Sequence, residues 1–339
     1  MKINTVSNFF DNFSQTTLGR LVKEYMIVVI TIFVFIAALI AITIKDGSPE
    51  IFLSTQNIIN ILRANAVMGI IALGMAFVII SGNIDLSVGA QMAMVGIIMF
   101  QFINMLEPIV GSNFAIIIGI IVCITISMIL SCICGIIVTK GMVPSFIITL
   151  GLSYIYRSLS IYFLDSGGIN IKEKAFQKIS NTNIFNIPLP IIYFLVMFLI
   201  YLYISRYTVL GRRIYAVGSN ANATKLSGVN VDLVKIQAFA LLGLTVAIAA
   251  IVEGSRMNSM NSSSSGNGYD LNTIAMAVVG GVAMEGGKGN MVNVFFGIFI
   301  LGIINNVLTL LGMHVYLVNA VKGALIILAV LLIKDRKQL

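Results

Sequence analysis

Charged side chains are scarce in this chain: 10% of its 339 residues are Asp, Glu, Lys or Arg, where a soluble domain carries roughly 25%. That shortage excludes an ordinary water-soluble domain. Histidine occurs once, at His314, so it has no cluster to join and reads as an interfacial side chain. The three cysteines, Cys123, Cys132 and Cys134, share one apolar run; they read as small hydrophobes, neither disulfides nor zinc ligands. No HExxH, no paired intramembrane aspartates and no Ser–Lys arrangement occurs at usable spacing, which removes the support for a membrane-embedded enzyme. The run EGGKGN at 285–290 superficially resembles a phosphate loop, but Gly289 follows Lys288 where a Walker A motif needs Ser or Thr. No nucleotide site, metal or catalytic residue is therefore assigned to this chain. Its glycines, with Gly280 and Gly281, read as close helix packing and a tight inner turn.

What fills the chain instead is hydrocarbon. Hydrophobic residues make up 58% of it and the mean hydropathy is +1.02, the mark of a protein that crosses a bilayer repeatedly. The net charge of +8 is carried by residues clustered between apolar runs, a pattern set by topology and anionic lipid, so nucleic acid is not an expected partner. The expected fold is all-α: a polytopic transmembrane bundle with spans of about 20 residues each. These fall at 25–44, 57–80, 86–106, 114–139, 144–163, 191–205, 236–252, 271–284, 291–311 and 315–333. Ten spans put both termini in the cytoplasm with most Lys and Arg. Eight result if 271–284 and one broken span fail to cross. Residues 1–24 form a cytoplasmic tail, and the run after them is too long for a cleaved signal. The outer loops are 165–188 and 255–270. The span at 57–80 holds Asn60, Arg63 and Asn65 and is too polar to face lipid throughout, and 271–284 is short enough to be tilted, broken or re-entrant.

A polar, basic segment at 206–235 divides a first transmembrane block (25–205) from a second (236–333), which a short tail (334–339) follows. Ser219 and Asn220 supply N-cap oxygens, 221–226 winds about two turns, and Gly228 stands where a left-handed residue ends a helix. The result is a short capped helix on the cytoplasmic face. It fits either a helix lying on lipid headgroups or a coupling helix that docks into a motor protein.

Two stretches, IDLSVGAQMAMVG from Ile84 and YDLNTIAMAVVGG from Tyr269, each open a helix with an Asp-Leu pair. They fit an inverted-topology repeat whose helix starts converge on a central path, and equally chance similarity between apolar helices. Asp85 and Asp270 are the ionisable residues best placed for such a path, with an N-cap role as the plainer alternative. Arg63, Arg157, Glu253, Glu285 and Lys322 lie in or at the ends of spans, where each needs a partner, a headgroup or water. Asn60, Asn65, Ser87, Gln91, Ser145, Thr149, Asn272 and Asn305 offer hydrogen bonds to a neutral, hydroxyl-rich solute, or to neighbouring helices.

AFVIISGNIDLSVGA at 76–90, VPSFIITLG at 143–151, GRRIYAVGSNANATKLSGVNV at 211–231, and GYDLNTIAMAVVGG with EGGKGN at 268–290 resemble the permease subunits of ribose- and galactose-type ABC importers. The resemblance runs over nearly the whole chain. It implies a permease that pairs with a second copy or a paralogue. It also implies a separate ABC ATPase subunit, which binds ATP-Mg, and an extracytoplasmic sugar-binding protein that delivers the solute. The family's coupling segment reads close to GGNEEAARLSG and aligns with 218–228. Asn220, Ala223, Leu226, Ser227 and Gly228 match it; Ala221 and Asn222 depart, so the family's acidic contact is not carried over. On this resemblance Arg212, Arg213, Asn220, Ala223, Lys225, Leu226 and Gly228 are the residues expected to meet the ATPase. The competing class is an ion-coupled carrier using Asp85 or Asp270. Within the importer class the cargo stays open among monosaccharides, nucleosides and furanose signal molecules.

Overall fold

A computed structural model of the chain describes residues 26–141, 143–164, 167–171, 174–314, 317–321 and 323–324. The tails at 1–24 and 334–339, most of the expected span at 315–333 with Lys322, and therefore the side on which both termini lie, fall outside the described residues.

The elements run α1 (Met26–Asp46), α2 (Glu50–Leu53), α3 (Thr55–Ile80), α4 (Val88–Val110), α5 (Ser112–Lys140), α6 (Ser145–Leu164), β1 (Gly168–Asn170), α7 (Lys174–Asn181), β2 (Asn183–Ile184) and β3 (Ile187–Pro188). They continue with α8 (Leu189–Tyr207), α9 (Val209–Ser219), α10 (Ala221–Leu226), α11 (Val231–Met257), β4 (Ser259–Asn261), α12 (Tyr269–Val279) and α13 (Met291–Leu310). Among the described residues eight helices are long and apolar enough to cross a membrane: α1, α3, α4, α5, α6, α8, α11 and α13. The chain is an all-α membrane bundle, and its only sheets among the described residues are two short pairs, β1 with β4 and β2 with β3.

Burial sorts the helices. Of the most apolar stretch of α3, 83% is buried, against 11% for α1 and 17% for α6. α3 is thus a core helix, which is why it tolerates polar residues that lipid would not. Asn57 exchanges amide hydrogen bonds with Asn306 of α13 (3.2 and 2.8 Å), and Asn65 donates to the Ile61 carbonyl (2.7 Å). α11 packs against α5, α3 and α4. At their shared level Gln91 of α4 donates to Ser127 and Ser131 of α5 (3.1 and 2.9 Å), and Ser127 donates on to the Gly243 carbonyl of α11 (2.7 Å). All three side chains are buried. Of the two roles open to Gln91, the structure places it in a helix-to-helix network.

Two expectations change, and of the forms open to 271–284 the broken one is found. The segment 165–188 is a folded cap, not a loop: α7 buries Phe176 and Ser180, and Ser180 donates to the Val252 carbonyl of α11 (2.9 Å). Residues 255–270 do not stay outside. From β4 onward the chain runs into the bundle, with Met260 of β4 and Ser262 just after it buried completely, and glycines at 266 and 268 let it turn tightly (φ 68° and 73°). The expected span at 271–284 is broken: its helix, α12, has 11 residues and is only about 16 Å long at 1.5 Å per residue, half the hydrocarbon thickness.

The Gln91 network generates a test. Replacing Gln91 with Leu leaves the Ser131 hydroxyl without its partner in lipid-level surroundings. It should lower the unfolding free energy of the detergent-solubilised protein by on the order of 1 kcal/mol, read as the midpoint of a denaturation curve. An unchanged midpoint contradicts the network's structural role.

Candidate functional site

The site begins where α3 ends. Gly82 is left-handed (φ 84°), and the amides of Gly82 and Asn83 donate back to the Ile79 and Val78 carbonyls (2.9 and 3.1 Å). This is the double closure of a Schellman turn, which needs glycine at that position. The chain then extends along α6. The Ile84 amide donates to Ser145 Oγ (2.9 Å) and the Leu86 amide to Thr149 Oγ1 (3.0 Å). The spacing follows from geometry: two residues of extended chain and four residues of helix both advance about 6–7 Å. A serine and a threonine four apart on a helix therefore dock alternate amides of a strand-like peptide, which would otherwise be buried without partners.

Asp85 lies between those docked amides and is 1% exposed. Its Oδ1 accepts from the Ser87 amide and hydroxyl (2.7 and 2.6 Å), while its Oδ2 has no partner. The N-cap position of α4 belongs to Ser87, and that of α12 to Gly268, so neither Asp85 nor Asp270 caps its helix as the sequence allows. Asp85 closes an Asx turn just before the helix; Asp270 sits in the first turn of α12.

The two helix starts meet. A methyl on Gly89 of α4 would run into the Gly266 carbonyl that precedes α12, and only glycine at both positions permits the approach. From there α4 leads toward Met260, Gly254 and Ile103, whereas α12 leads to Gly280, packed on Val294 near the start of α13. Asp85 and Asp270 are near enough for their charges to interact.

Two cavities flank the docked peptide. One of about 550 Å³ opens at the basic end of the bundle, between Asn83, Thr139, Ser145, Asp232, Lys235 and Met284. The other, about 140 Å³, lies beside Gly89, Ser153, Arg157, Gly268 and Asp270. Residues 85–88 separate them along the chain. Arg157, the charge that needed a partner, donates to the Ser262 and Ser265 carbonyls (2.8 and 2.9 Å) and feels the Asp270 carboxylate.

The basic segment at 206–235 is helical nearly throughout. Thr208, Asn220 and Asn230 cap α9, α10 and α11, each side chain accepting the amide three residues on. Ser219 ends α9 and does not cap α10. Gly228 (φ 81°) ends α10 in the same double closure as Gly82, its amide donating to Lys225 and that of Val229 to Thr224 (3.0 and 3.3 Å). Thr224 is buried and holds α10 down, while Arg212, Arg213, Asn220, Ala223, Lys225, Leu226 and Gly228 are all exposed. Leu226, at 90%, is an apolar side chain presented to whatever docks there.

One contact ties this segment to the site. A methyl on Gly218 would collide with the Ile80 carbonyl and lie 2.5 Å from the Gly287 nitrogen. The Gly287 amide itself donates to Ile80 (2.8 Å), and Tyr215 donates to the Gly289 carbonyl (3.0 Å). Three backbones, from the end of α3, the end of α9 and the turn before α13, are thus in direct contact.

The family described as branched-chain amino acid transport system / permease component matches residues 57–330. The chain belongs to that family. Ribose import permease protein RbsC of Haemophilus influenzae is 37% identical over 301 residues, 88% of this chain and 91% of that protein. RbsC of Bacillus subtilis is 36% identical over 307 residues, with 90% and 92% covered. D-allose transport system permease protein AlsC of Escherichia coli is 34% identical over 298 residues, with 88% and 89% covered. No solved structure matches. This permease is a transport component, a multi-pass protein of the bacterial inner membrane.

Of the residues singled out in the sequence, Asp85, Ser87, Ser145, Thr149 and Asp270 come together around the two helix starts of the permease. Asn272 lies beside them, donating to the Gly268 carbonyl (2.7 Å). Asn60, exposed and accepting from Gln56 (3.2 Å), and Asn305, half-buried on α13, do not join them. Ser153 and the Ile80 carbonyl were missed. The signal for the second lay in the glycines at 218, 286 and 287, which mark close backbone approach.

The three-backbone contact predicts that Gly218→Ala loosens two distant segments together. Hydrogen exchange should quicken at both 80–87 and 283–289, with residues 94–103 unaffected; quickening confined to α9 would contradict the contact.

Proposed function

We propose that this chain is the membrane-spanning subunit of an ABC importer for a monosaccharide, with ribose the first sugar to test. The observation that carries the reading is its likeness, over nearly nine-tenths of its length, to proteins named as ribose import permeases. The Asn220-capped helix α10, exposed at the basic end of the bundle, supports it. On this reading the basic end faces the cytoplasm, and an ABC ATPase subunit that binds ATP-Mg receives Leu226, flanked by Arg212, Arg213 and Lys225. An extracytoplasmic sugar-binding protein docks on the cap built from β1, α7 and β4. A second copy or a paralogue completes the path, and lipid covers the remaining apolar faces.

Coupling then has a physical route. A push on α10 passes through α9 to Gly218, and from there to the Ile80 carbonyl and Gly287. Moving Ile80 withdraws the peptide at 84–86 from Ser145 and Thr149, joining the inner cavity to the space around Asp270. The peptide is the inner gate, and two hydroxyls hold it shut. A buried peptide loses about 1 kcal/mol per hydrogen bond broken, a barrier small enough for a nucleotide cycle to drive. Selectivity resides mainly in the binding protein.

Placing Pro at Ala223 removes the amide that donates to Asn220 (2.9 Å). It should abolish ATP-dependent sugar uptake in proteoliposomes holding the ATPase and binding protein, while the permease still inserts. Uptake by the native complex should be blocked by vanadate and survive an uncoupler. Uptake that survives vanadate and stops with the uncoupler would favour an ion-coupled carrier instead.

A further inference from the structure

The cavity beside Asp270 is where the opened gate leads, and its chemistry is specific. Its lining includes Asp270, whose carboxylate accepts no hydrogen bond from a described residue, and Arg157, whose charge interacts with that carboxylate. Arg157 spends one terminal nitrogen on the Ser262 and Ser265 carbonyls, and a guanidinium has five N–H donors in a rigid fork. The lining also carries the Ser153 hydroxyl and glycine backbone at 89 and 268. The cavity thus combines a hydrogen-bond acceptor of charge −1 with a donor of charge +1.

That arrangement suits a neutral molecule whose neighbouring hydroxyls must both donate and accept. It disfavours an ion of either sign, which would meet one like charge. The volume is informative as well. At about 140 Å³ the cavity is about half the roughly 300 Å³ at the low end for small-molecule sites. Its lining includes Tyr154, which is 69% exposed, and Ile155, Leu159, Tyr162 and Phe163 of α6 are exposed as well.

Resting on the importer reading, we propose that this cavity is one half of a solute station inside the membrane. Asp270 and Arg157 bind vicinal hydroxyls of a sugar, Ser153 adds a further contact, and a second permease copy supplies the other half across Tyr154. The station lies outward of the gate at 84–86 and holds the sugar between its release from the binding protein and the opening of that gate. Arg157 also positions its own wall, because the carbonyls it holds belong to the irregular chain that delivers Gly266 to Gly89. Asp270 holds nothing else, so it is the cleaner residue to change.

The test uses the whole complex in proteoliposomes with tritiated D-ribose. ATP-driven accumulation by the unmodified complex checks the importer reading on its own. If that holds, Asp270→Asn should lower ribose moved per ATP hydrolysed by about tenfold, the cost of a lost hydrogen bond to a charged group. Hydrolysis stimulated by loaded binding protein should stay near its unmodified value. A ratio that does not change overturns the station, and so does a joint fall of uptake and hydrolysis, which marks lost folding or coupling. A second readout needs no turnover. In a Cys132→Ser background, Ser153→Cys should react with a maleimide in the complex held in ATP and vanadate, and saturating D-ribose should slow the reaction. Labelling at the same rate with and without ribose also overturns the proposal.

Discussion

The architecture depends on one backbone contact, in which the end of α9 is pressed at Gly218 against the Ile80 carbonyl and Gly287. Side chains are absent from it, so nothing in it can rotate away to absorb a displacement. Close-packed backbone of this kind transmits force because its alternative is a clash, whereas a contact between long side chains can yield by changing rotamer. The glycines are needed for that rigidity. Any Cβ at 218 would separate the surfaces and leave the basic helices free to move alone.

Around that contact the bundle carries two irregular stretches of chain, one at 84–86 between two full-length helices and one ahead of the short helix α12. A peptide in the middle of a membrane must satisfy its own polar groups, and lipid offers none. The chain meets the demand in two ways. At 84–86 the amides dock on hydroxyls of α6, and at 262–268 the carbonyls are held by Arg157. The two irregular stretches then deliver helix starts to the same place, Gly89 beside Gly266. Helix starts carry partial positive charge, and the carboxyl groups of Asp85 and Asp270 lie beside them. The arrangement is what an inverted repeat would produce, with one helix start running toward each face.

Much of this was legible in the residues. The eight long helices among the described residues match eight of the ten spans expected from hydropathy, and the Asn220–Gly228 helix follows from its cap and its left-handed glycine. The unsuitability of 57–80 for lipid is a local consequence of composition. What hydropathy could not reveal is long-range. Residues 255–270 look like an outer loop because serine and asparagine are polar, and only the Gly89–Gly266 approach explains how such a stretch enters the bundle. The cap at 165–188 was hidden for the same reason, since α7 packs on α11 and Phe176 is buried against Phe100 of α4, contacts distant in the sequence. Gln91 looked like a path residue; its partners, Ser127 and Ser131, lie a full helix away.

The most direct measurement of the central claim is a pair of spin-label distances in the complete transporter, without nucleotide and with ATP and vanadate. Labels at Leu226 and Lys288 report whether α10 and the turn carrying Gly287 move as one body; labels at Leu226 and Ile137 report movement relative to α5. The account predicts that the first distance stays fixed while the second changes with nucleotide. A change in the first distance as large as that in the second would show that the coupling helix moves independently of the gate, and the account would fail.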